Sequence, residues 1–588
     1  MMRSEFQILL SGYDMKRLLQ KMWVFCFTVV SITSQAASLP PVIGKTAMVV
    51  SAQHHASQVG MDILNRGGNA IDAAVAMGYA LAVVEPSAGN IGGGGFMLIR
   101  FADGRKTVLN FREKAPHAIN PEMFSEGDNV FSGGYVSGRV PKPYLSVGVP
   151  GTVKGLNLAL KKYGTFTLPA VIYPAIHLAE SGYILKHSDA DFLAKQRDVF
   201  IKQPNVAKIF LNKNKQAFGA GDKVVQKNLA KTLRKIAKYG DRVFYQGEIA
   251  DAIVKASRAN GGVLSKQDFL NYTVEEMQPI SCDYRGYKVL TIAPPSAGGV
   301  TICESLNIMD GYDMADLGYH SAASVHNLVE ALRYSYADRS SFFGDPDFVK
   351  NPTEKLISKK YADEIRAKIL GDVAGDSSKI GFSAQLPEKD HTTAYAVVDK
   401  DGTAVSVTYT LNDYFGSRVI AGDTGFFLNN ELADFSLSKN KPNTFGLVQG
   451  DNNLIGPDKR PVSSMAPTIL LKKGKVALVI GTPGGSTIPS QLIGVIQNII
   501  DYNMDVQQAV DAPRVHMQWL PDMIFVEPYS LSRDSSQLLR KMGYKIKVGS
   551  PYGTQYWGGV VAIQVDDRTK QLKGAVDARR PAGAAIGN

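Results

Sequence analysis

Hydrophobic and polar residues alternate in four stretches of the chain, and residues that favour a tight turn interrupt each stretch. Alternation with a period of two predicts a strand, and two such runs around a short turn predict a β-hairpin. The stretches are FMLIRFADGRKTVLNFRE with a turn at Asp103-Gly104, TAYAVVDKDGTAVSVTYT with a turn at Asp401-Gly402, TILLKKGKVALVIG with a turn at Lys473-Gly474, and GVVAIQVDDRTKQLKGAVD with a turn around Asp567. We therefore expect four antiparallel hairpins.

Helical patterns occupy much of the remaining chain. The segment SAQHHASQVGMDILNRGGNAIDAAVAMGYALAVVEP predicts two buried helices separated by Gly67 and Gly68, with Asn69 as the N-cap of the second. Between residues 150 and 380 the pattern is mostly helical, with SVGVPGTVKGLNLALKKYG and SAASVHNLVEALRYSYADRSSF as the clearest amphipathic segments. Hairpins combined with long helices indicate stacked antiparallel sheets covered by helices rather than a parallel βαβ fold.

The N-terminus has the pattern of a secretory signal peptide. Lys16, Arg17 and Lys21 precede the apolar run MWVFCFTVVSI, and small residues follow in TSQAASLPP. A membrane-spanning helix needs about twenty apolar residues, which is more than this run supplies. We predict a signal peptide over residues 1–36, no stable membrane anchor, and export to the periplasm or the medium.

The remaining composition is that of an ordinary globular protein, with 45% hydrophobic and 20% charged residues among 588. The formal charge is +11. The basic segment GDKVVQKNLAKTLRKIAKYGDR has helical spacing without interleaved aromatic residues, so it predicts a solvated helix face and no nucleic-acid partner. Of three cysteines, Cys282 and Cys303 lie outside the signal, and they either pair or stay free. No metal-binding motif occurs, so we expect neither a metal nor a cofactor.

Two adjacent threonines, Thr392 and Thr393, stand at the first step of the second hairpin. Threonine is a favoured strand residue, which is the ordinary explanation. The preceding segment DVAGDSSKIGFSAQLPEKDH has the composition of a linker or an exposed loop. A flexible segment that runs into a hydroxyl-bearing strand is also what a proteolytic processing point looks like. A threonine freed at a new N-terminus carries an amine that can act as its own base.

Several motifs in the same order along the chain resemble those of the γ-glutamyltranspeptidase family. They are GNIGGGGFMLI, NFREKAP, TTAYAVVDKDGTAVSVTYTLN, NNELADFS, GPDKRPVSSMAPTI, GTPGGS and DARRPAGAAIG. The resemblance implies an N-terminal nucleophile hydrolase with an α+β fold, a four-layer αββα sandwich built from both chains of a self-cleaved precursor. It places the cleavage between His391 and Thr392, which gives a large subunit of residues 37–391 and a small subunit of residues 392–588.

The resemblance also implies catalytic groups. Thr392 is the expected nucleophile, with an α-amine that titrates near pH 7.7 to 8.0 and takes the hydroxyl proton. Thr410 corresponds to a second hydroxyl bonded to the nucleophile. The backbone N–H groups of Gly484 and Gly485 in GTPGGS are the expected oxyanion hole. A phosphate-loop interpretation of GTPGGS lacks the lysine of that motif. The glycine run IGGGG at 91–95 predicts close packing behind the site.

A γ-glutamyl group carries an α-carboxylate and an α-ammonium, so its site needs both donors and acceptors. By resemblance, the carboxylate is bound by Arg112, Ser463 and Ser464, and the ammonium by Asn412, Glu431 and Asp434. The implied reaction cleaves the γ-glutamyl amide of glutathione and related compounds through an ester on Thr392, and passes the acyl group to water or an amino acid.

Three other functions stay open at this point. A cephalosporin acylase or a γ-polyglutamate depolymerase shares the self-cleavage, and an exported binding protein would never mature. Two departures from the family pattern concern acceptor preference or affinity. Phe445, in the predicted lid loop LSKNKPNTFGLVQGDNN at 437–453, replaces a tyrosine of some members, and Ala433 replaces an aspartate of many.

Overall fold

The computed structural model of the protein describes residues 38–124, 142–380, 392–437, 450–551 and 557–588. The predicted signal peptide, His391 and Phe445 lie outside the described residues, as does the lid loop between 438 and 449.

The strands of the described residues are short at both ends of the chain and longest in the predicted hairpins. They are β1 Val42–Gly44, β2 Met48–Ser51, β3 Gly94–Arg100, β4 Lys106–Asn110, β5 Tyr183–Ile184, β6 Lys223–Val224, β7 Glu275–Met277, β8 Ile280–Tyr284, β9 Tyr287–Thr291, β10 Thr392–Val398, β11 Ala404–Thr410, β12 Thr468–Lys472, β13 Lys475–Gly481, β14 Val515–His516, β15 Ile524–Val526, β16 Ile546–Val548, β17 Val561–Val565, β18 Leu572–Val576 and β19 Ala584–Gly587.

The helices lie mainly between β4 and β10 and after β13. They are α1 His54–Asn65, α2 Ala70–Val84, α3 Thr152–Tyr163, α4 Leu168–Ser181, α5 His187–Lys195, α6 Arg197–Phe200, α7 Pro204–Phe210, α8 Lys227–Tyr239, α9 Arg242–Tyr245, α10 Glu248–Ala259, α11 Lys266–Asn271, α12 Gly298–Met309, α13 Met314–Leu317, α14 Ala322–Phe342, α15 Thr353–Leu356, α16 Lys359–Arg366, α17 Ile488–Ile500, α18 Val506–Asp511 and α19 Arg533–Lys541.

Two seven-stranded sheets form the centre of the fold, and every neighbouring pair of strands in them is antiparallel. Sheet 1 has the order β1-β18-β17-β13-β12-β9-β8, and sheet 2 has the order β19-β2-β10-β11-β3-β4-β7. Helix α2 packs on β10 and β11 of sheet 2, whereas α12 packs on β8 and α18 on β17 and β18 of sheet 1. The expected sandwich of two stacked antiparallel sheets between helices is confirmed.

The two faces of β10 meet different layers because side chains alternate along a strand. Tyr395 packs with the helix α2 side, where its hydroxyl would lie 2.8 Å from a Cβ on Gly78. Ala394 belongs to the apolar cluster between the sheets. The hydroxyl of Ser406 in β11 crosses the same interface and donates to the carbonyl of Ile480 at 2.9 Å. Thr392 is in phase with Ala394, so its side chain also lies between the sheets.

All four predicted hairpins are present, as β3–β4, β10–β11, β12–β13 and β17–β18. The predicted cap of α2 is also confirmed, since the Asn69 side chain accepts from the N–H groups of Ile71 and Asp72. The basic helix α8 buries Leu229, Leu233 and Ile236 and leaves its lysine face to solvent.

The expectation for residues 150–380 is incomplete, because this region also supplies the edge strand β7 to sheet 2 and the last two strands, β9 and β8, to sheet 1. These strands are only three to five residues long, too short for a clear alternating pattern. Helix α14, predicted as amphipathic, is buried along most of its length.

Cys282 in β8 and Cys303 in α12 form a disulfide, which answers the question that the sequence left open. Among the described helices, none combines the length and apolar character needed to cross a membrane.

Candidate active site

The two hydroxyls predicted to act together are direct neighbours across a hairpin. Thr392, the first residue of β10, pairs in register with Thr410, the last residue of β11. Both residues are 3% exposed, and their Oγ1 atoms are 3.4 Å apart. A cross-strand pair on one face of a sheet fixes this distance through the backbone, so the contact follows from the hairpin register.

The residue after β11 holds Thr410 in place. Asn412 has a left-handed backbone (φ 79°), which asparagine tolerates better than most residues. In this conformation its backbone N–H donates to Thr410 Oγ1 at 2.8 Å, and its side-chain Nδ2 donates to the carbonyl of Asn430 at 3.1 Å. Asn412 thereby connects the threonine pair to the segment that carries Glu431 and Asp434.

The glycine run at 91–95 packs against the site from behind, as predicted. A Cβ on Gly93 would lie 1.9 Å from the carbonyl oxygen of Thr410, and a Cβ on Gly94 would lie 2.6 Å from Glu113 Oε2. Any larger residue at these positions would displace the strand that carries Thr410 or the carboxylate beside Arg112.

Arg112 is the centre of a buried charge cluster. Its Nη1 pairs with Glu431 and its Nη2 with Asp434, while Glu113 Oε2 lies 3.6 Å from Nη1. The Nε atom donates to the carbonyl of Pro461 at 3.3 Å. The guanidinium thus contacts two of the side chains that were expected to bind an ammonium group, and three carboxylates surround one cation.

Burial, together with the surplus of negative charge, shifts the pKa values of the cluster. Burial raises the pKa of Glu431 well above its ordinary value, and it also raises that of Asp434, in both cases against the opposing charge of Arg112. Burial raises the pKa of Glu113 to about 7. Burial by itself lowers the pKa of Arg112, but the three carboxylates outweigh this effect and the pKa is raised. The arginine therefore stays charged, and the three carboxylates bind protons at a higher pH than they would in water.

The two predicted serines, Ser463 and Ser464, line the same space as Arg112. Ser463 Oγ accepts from the N–H of Met465 at 3.0 Å, and the Ser463 carbonyl accepts from the N–H of Ala297 at 3.0 Å. Ser464 Oγ accepts from Nη2 of Arg339 at 3.1 Å. Arg339 comes from α14 and brings a second cation to the cleft.

The loop after β13 carries the two predicted oxyanion donors. Gly484 (φ 135°) and Gly485 (φ 50°) both have backbone angles that favour glycine. The carbonyl of Gly484 accepts from the Thr487 hydroxyl at 2.6 Å and from the Thr487 N–H at 2.9 Å. The loop turns directly into α17 at Ile488.

One cleft with about 300 Å³ of atom-free space brings these groups together. Its lining residues are Arg112, Arg339, Thr392, Thr410, Asn412, Glu431, Asp434, Val462, Ser463, Ser464, Met465, Gly485 and Ile488. Gly484 is the one predicted site residue with a described position that does not line this cleft, and it adjoins Gly485. No group of three or more metal-ligating side chains occurs in the described part of the chain.

Two charged residues of this region were missed from the sequence. Glu113 follows Arg112 directly, and Arg339 stands in the buried helix α14. Helix α14 also carries Glu330, Arg333 and Asp338, so its sequence pattern alone did not single out Arg339 as a site residue. Nothing in the sequence distinguishes Glu113 from an exposed acid after a strand.

Stacked antiparallel sheets between helical layers, with a hydroxyl-bearing residue at the start of a central strand that faces a polar cleft, are the architecture of the N-terminal nucleophile hydrolases. The cephalosporin acylase of Bacillus halodurans, a solved structure, superposes with a TM-score of 0.81 at 30% identity, covering 95% of this chain and 98% of that one.

Sequence comparison specifies the family. The Gamma-glutamyltranspeptidase family profile matches residues 56–587. The glutathione hydrolase proenzyme of Pseudomonas sp. (strain A14) is 50% identical over 562 residues, covering 94% of this chain and 96% of that protein. The glutathione hydrolase proenzyme of Escherichia coli (strain K12) is 46% identical over 515 residues, covering 87% and 88%. The chain belongs to the γ-glutamyltranspeptidase family, which confirms the resemblance drawn from its motifs.

Proposed function

We propose that this chain is the precursor of a γ-glutamyl hydrolase and transferase that cuts itself between His391 and Thr392 and then acts on glutathione and related γ-glutamyl compounds. The observation that carries the proposal is the cleft itself. Thr392 and Thr410 line the same space as Arg112, Glu431 and Asp434, so a nucleophile and the charges that suit an amino-acid head group stand within one small site.

The fold supports a matured protein whose two pieces stay together. If the cut falls before Thr392, the large subunit spans residues 37–391 and the small subunit residues 392–588. Strand pairs then cross between the subunits in both sheets, namely β1 with β18, β9 with β12, β2 with β10, β2 with β19 and β3 with β11. Separation would break these ladders and expose both sheet cores. The precursor is exported with removal of residues 1–36, to the periplasm or the medium.

The chemistry begins when cleavage frees the α-amine of Thr392. This amine removes the proton from Thr392 Oγ1, and the oxygen attacks the γ-carbonyl carbon of the donor. The resulting oxyanion accepts from the N–H groups of Gly484 and Gly485. The ammonium then returns its proton to the departing amine, the carbon–nitrogen bond breaks, and a γ-glutamyl ester on Thr392 remains. Water or an amino acid attacks the ester by the same proton transfers and restores the threonine.

Recognition of the donor follows from charge balance. Arg112, Ser463 and Ser464 bind the α-carboxylate. The α-ammonium is bound by Asn412, Glu431 and Asp434. Arg112 pairs with Glu431 and Asp434 in the structure, and a zwitterionic head group adds one positive and one negative charge. It therefore enters the cluster by exchanging ion-pair partners, without a net change of buried charge.

N-terminal sequencing and intact-mass measurement of the purified protein, beside a Thr392→Ala variant, test the proposal. We expect two chains in the wild type, with the smaller one starting at Thr392, and release of glutamate from glutathione. The variant should remain a single chain without activity. A wild-type protein that stays uncut, or that is cut elsewhere, would disprove the assignment of Thr392.

A cephalosporin acylase is the second candidate, because the structural similarity to the enzyme from Bacillus halodurans extends over nearly the whole chain. The higher identity to the two glutathione hydrolase proenzymes favours the first candidate. Hydrolysis of glutathione compared with a cephalosporin side-chain amide, both at equal concentration, separates the two functions.

A further inference from the structure

A single buried glutamine, Gln491, ties together the loop that carries the expected oxyanion donors. Gln491 is 3% exposed and lies in the first turn of α17. Its Oε1 accepts from the hydroxyl of Thr482 at 3.0 Å, and its Nε2 donates to the carbonyl of Pro483 at 3.2 Å and to Thr487 Oγ1 at 2.7 Å. One side chain thus bonds to the first two residues and to the last residue of the 482–487 loop.

The loop is closely fitted around this side chain. A Cβ on Gly484 would lie 2.3 Å from Gln491 Nε2, and a Cβ on Gly558 would lie 2.3 Å from Gln491 Oε1. Both glycines allow the amide to pass between two backbone segments. Thr482 Oγ1 also accepts from the N–H of Gly559 at 3.4 Å.

The bonds to the loop carbonyls determine where the loop N–H groups point. In a trans peptide the carbonyl and the N–H of the same unit point in opposite directions. The carbonyl of Pro483 accepts from Gln491 Nε2 at 3.2 Å and from the Thr482 hydroxyl at 2.9 Å, and this carbonyl shares its peptide unit with the N–H of Gly484. The carbonyl of Gly484 is held by the Thr487 hydroxyl, and it shares its unit with the N–H of Gly485.

The same amide controls both peptide units. It holds the first carbonyl directly, and it holds the second through Thr487, whose hydroxyl accepts from Nε2 and donates to Gly484. Glycine at 484 and 485 has no side chain that would restrict rotation of these units, so the bonds from Gln491, Thr487 and Thr482 are what orient them.

We propose that Gln491 is a positioning residue that orients the peptide units of Gly484 and Gly485 for stabilisation of the oxyanion, acting on the second through Thr487. This inference rests on the proposed function. Gln491 lies behind the loop and is not among the cleft-lining residues, so its effect falls on the chemical step and not on the binding of the donor.

The variant Gln491→Glu tests this inference, because it keeps the side-chain length and the bond from Thr482 but loses both Nε2 donors. We expect kcat for glutathione hydrolysis, per processed molecule, to fall about 10- to 100-fold while KM stays within about threefold; loss of an oxyanion donor itself costs about 10²- to 10³-fold. Thr487→Val should lower kcat in the same way, and Thr487→Ser, which keeps the hydroxyl, should largely restore it.

Gln226→Glu is the matched control. Gln226 is similarly buried, and its Nε2 donates to the carbonyl of Val83 at 2.7 Å, far along the chain from the loop. Equal kcat values for Gln491→Glu and Gln226→Glu would overturn the inference, and so would a KM that rises in proportion to the loss of kcat. A wild-type protein without glutathione hydrolysis would instead overturn the proposed function, and that result is obtained before any variant is made.

Discussion

Replacing Arg112 with methionine removes a cation that contacts three buried carboxylates at once. Glu431 and Asp434 each pair with one terminal nitrogen of Arg112, and Glu113 lies 3.6 Å away. Methionine fills a similar space without charge. The substitution therefore isolates the electrostatic contribution of the guanidinium from its packing.

The expected loss of folding stability in Arg112→Met is large at alkaline pH and small at acidic pH. Removing one partner of a buried ion pair costs about 3 to 5 kcal/mol. For the roughly 500 residues that the structure describes, the entropy of unfolding is about 1.1 kcal/mol per kelvin, so Tm should fall by about 3 to 5 °C at pH 8. Burial already raises the pKa of Glu113, Glu431 and Asp434, and loss of Arg112 raises them further. The folded state then binds more protons than the unfolded chain, so its stability falls as pH rises, and at pH 5 the Tm difference should shrink by half or more.

Scanning calorimetry at pH 5 and pH 8 measures this effect, in the Thr392→Ala background that we expect to stay in one piece. Arg514→Met is the control, because Arg514 is also buried and pairs with Asp577. Burial acts to raise the pKa of Asp577, but Arg514 and Arg579 outweigh it and the pKa is lowered. Arg579 Nη1 remains 2.9 Å from Asp577, so this loss of Tm should be similar at both pH values. An equal loss at both pH values for Arg112→Met, or no loss, would refute the reasoning.

Three further predictions concern the matured protein. The wild type should elute as one particle in gel filtration and separate into two chains only in denaturant, because strand ladders cross the proposed cut before Thr392; separate elution in buffer would contradict this. Reduction should not change the number of bands on a denaturing gel, since the Cys282–Cys303 disulfide lies wholly before Thr392; a change from one band to two would contradict it. KM for the γ-glutamyl donor should rise from pH 8 to pH 6, by at most about tenfold, because burial raises the pKa of Glu113 to about 7 and its protonation removes a negative charge beside Arg112 that attracts the α-ammonium. A profile that is the same in Glu113→Gln would exclude Glu113 as the cause.

The local elements were predictable because their signals are local. The hairpin β10–β11 follows from alternating residues around Asp401-Gly402, and once its register is set, Thr392 must face Thr410. The cap at Asn69 likewise depends on residues within three positions.

The short strands were not predictable, because their partners lie far away along the chain. Met48–Ser51 pairs with Ala584–Gly587 at the opposite end of the sequence. A strand of four residues carries little periodicity, and its place is determined by the sheet edge that it completes. The state of Cys282 and Cys303 was open for the same reason, since only the packing of α12 beside β8 brings the two sulfur atoms together.

The sequence by itself determined the hairpins, most helices, the threonine at the start of a strand and the order of motifs that resemble the family. Only the tertiary structure decided how the charges combine. Arg112 meets Glu431 and Asp434 across 319 and 322 positions of chain, and Arg339 arrives from a separate helix. Contacts at such separations depend on the strand order of two sheets and on the packing of layers, for which no residue pattern within a short segment carries a signal.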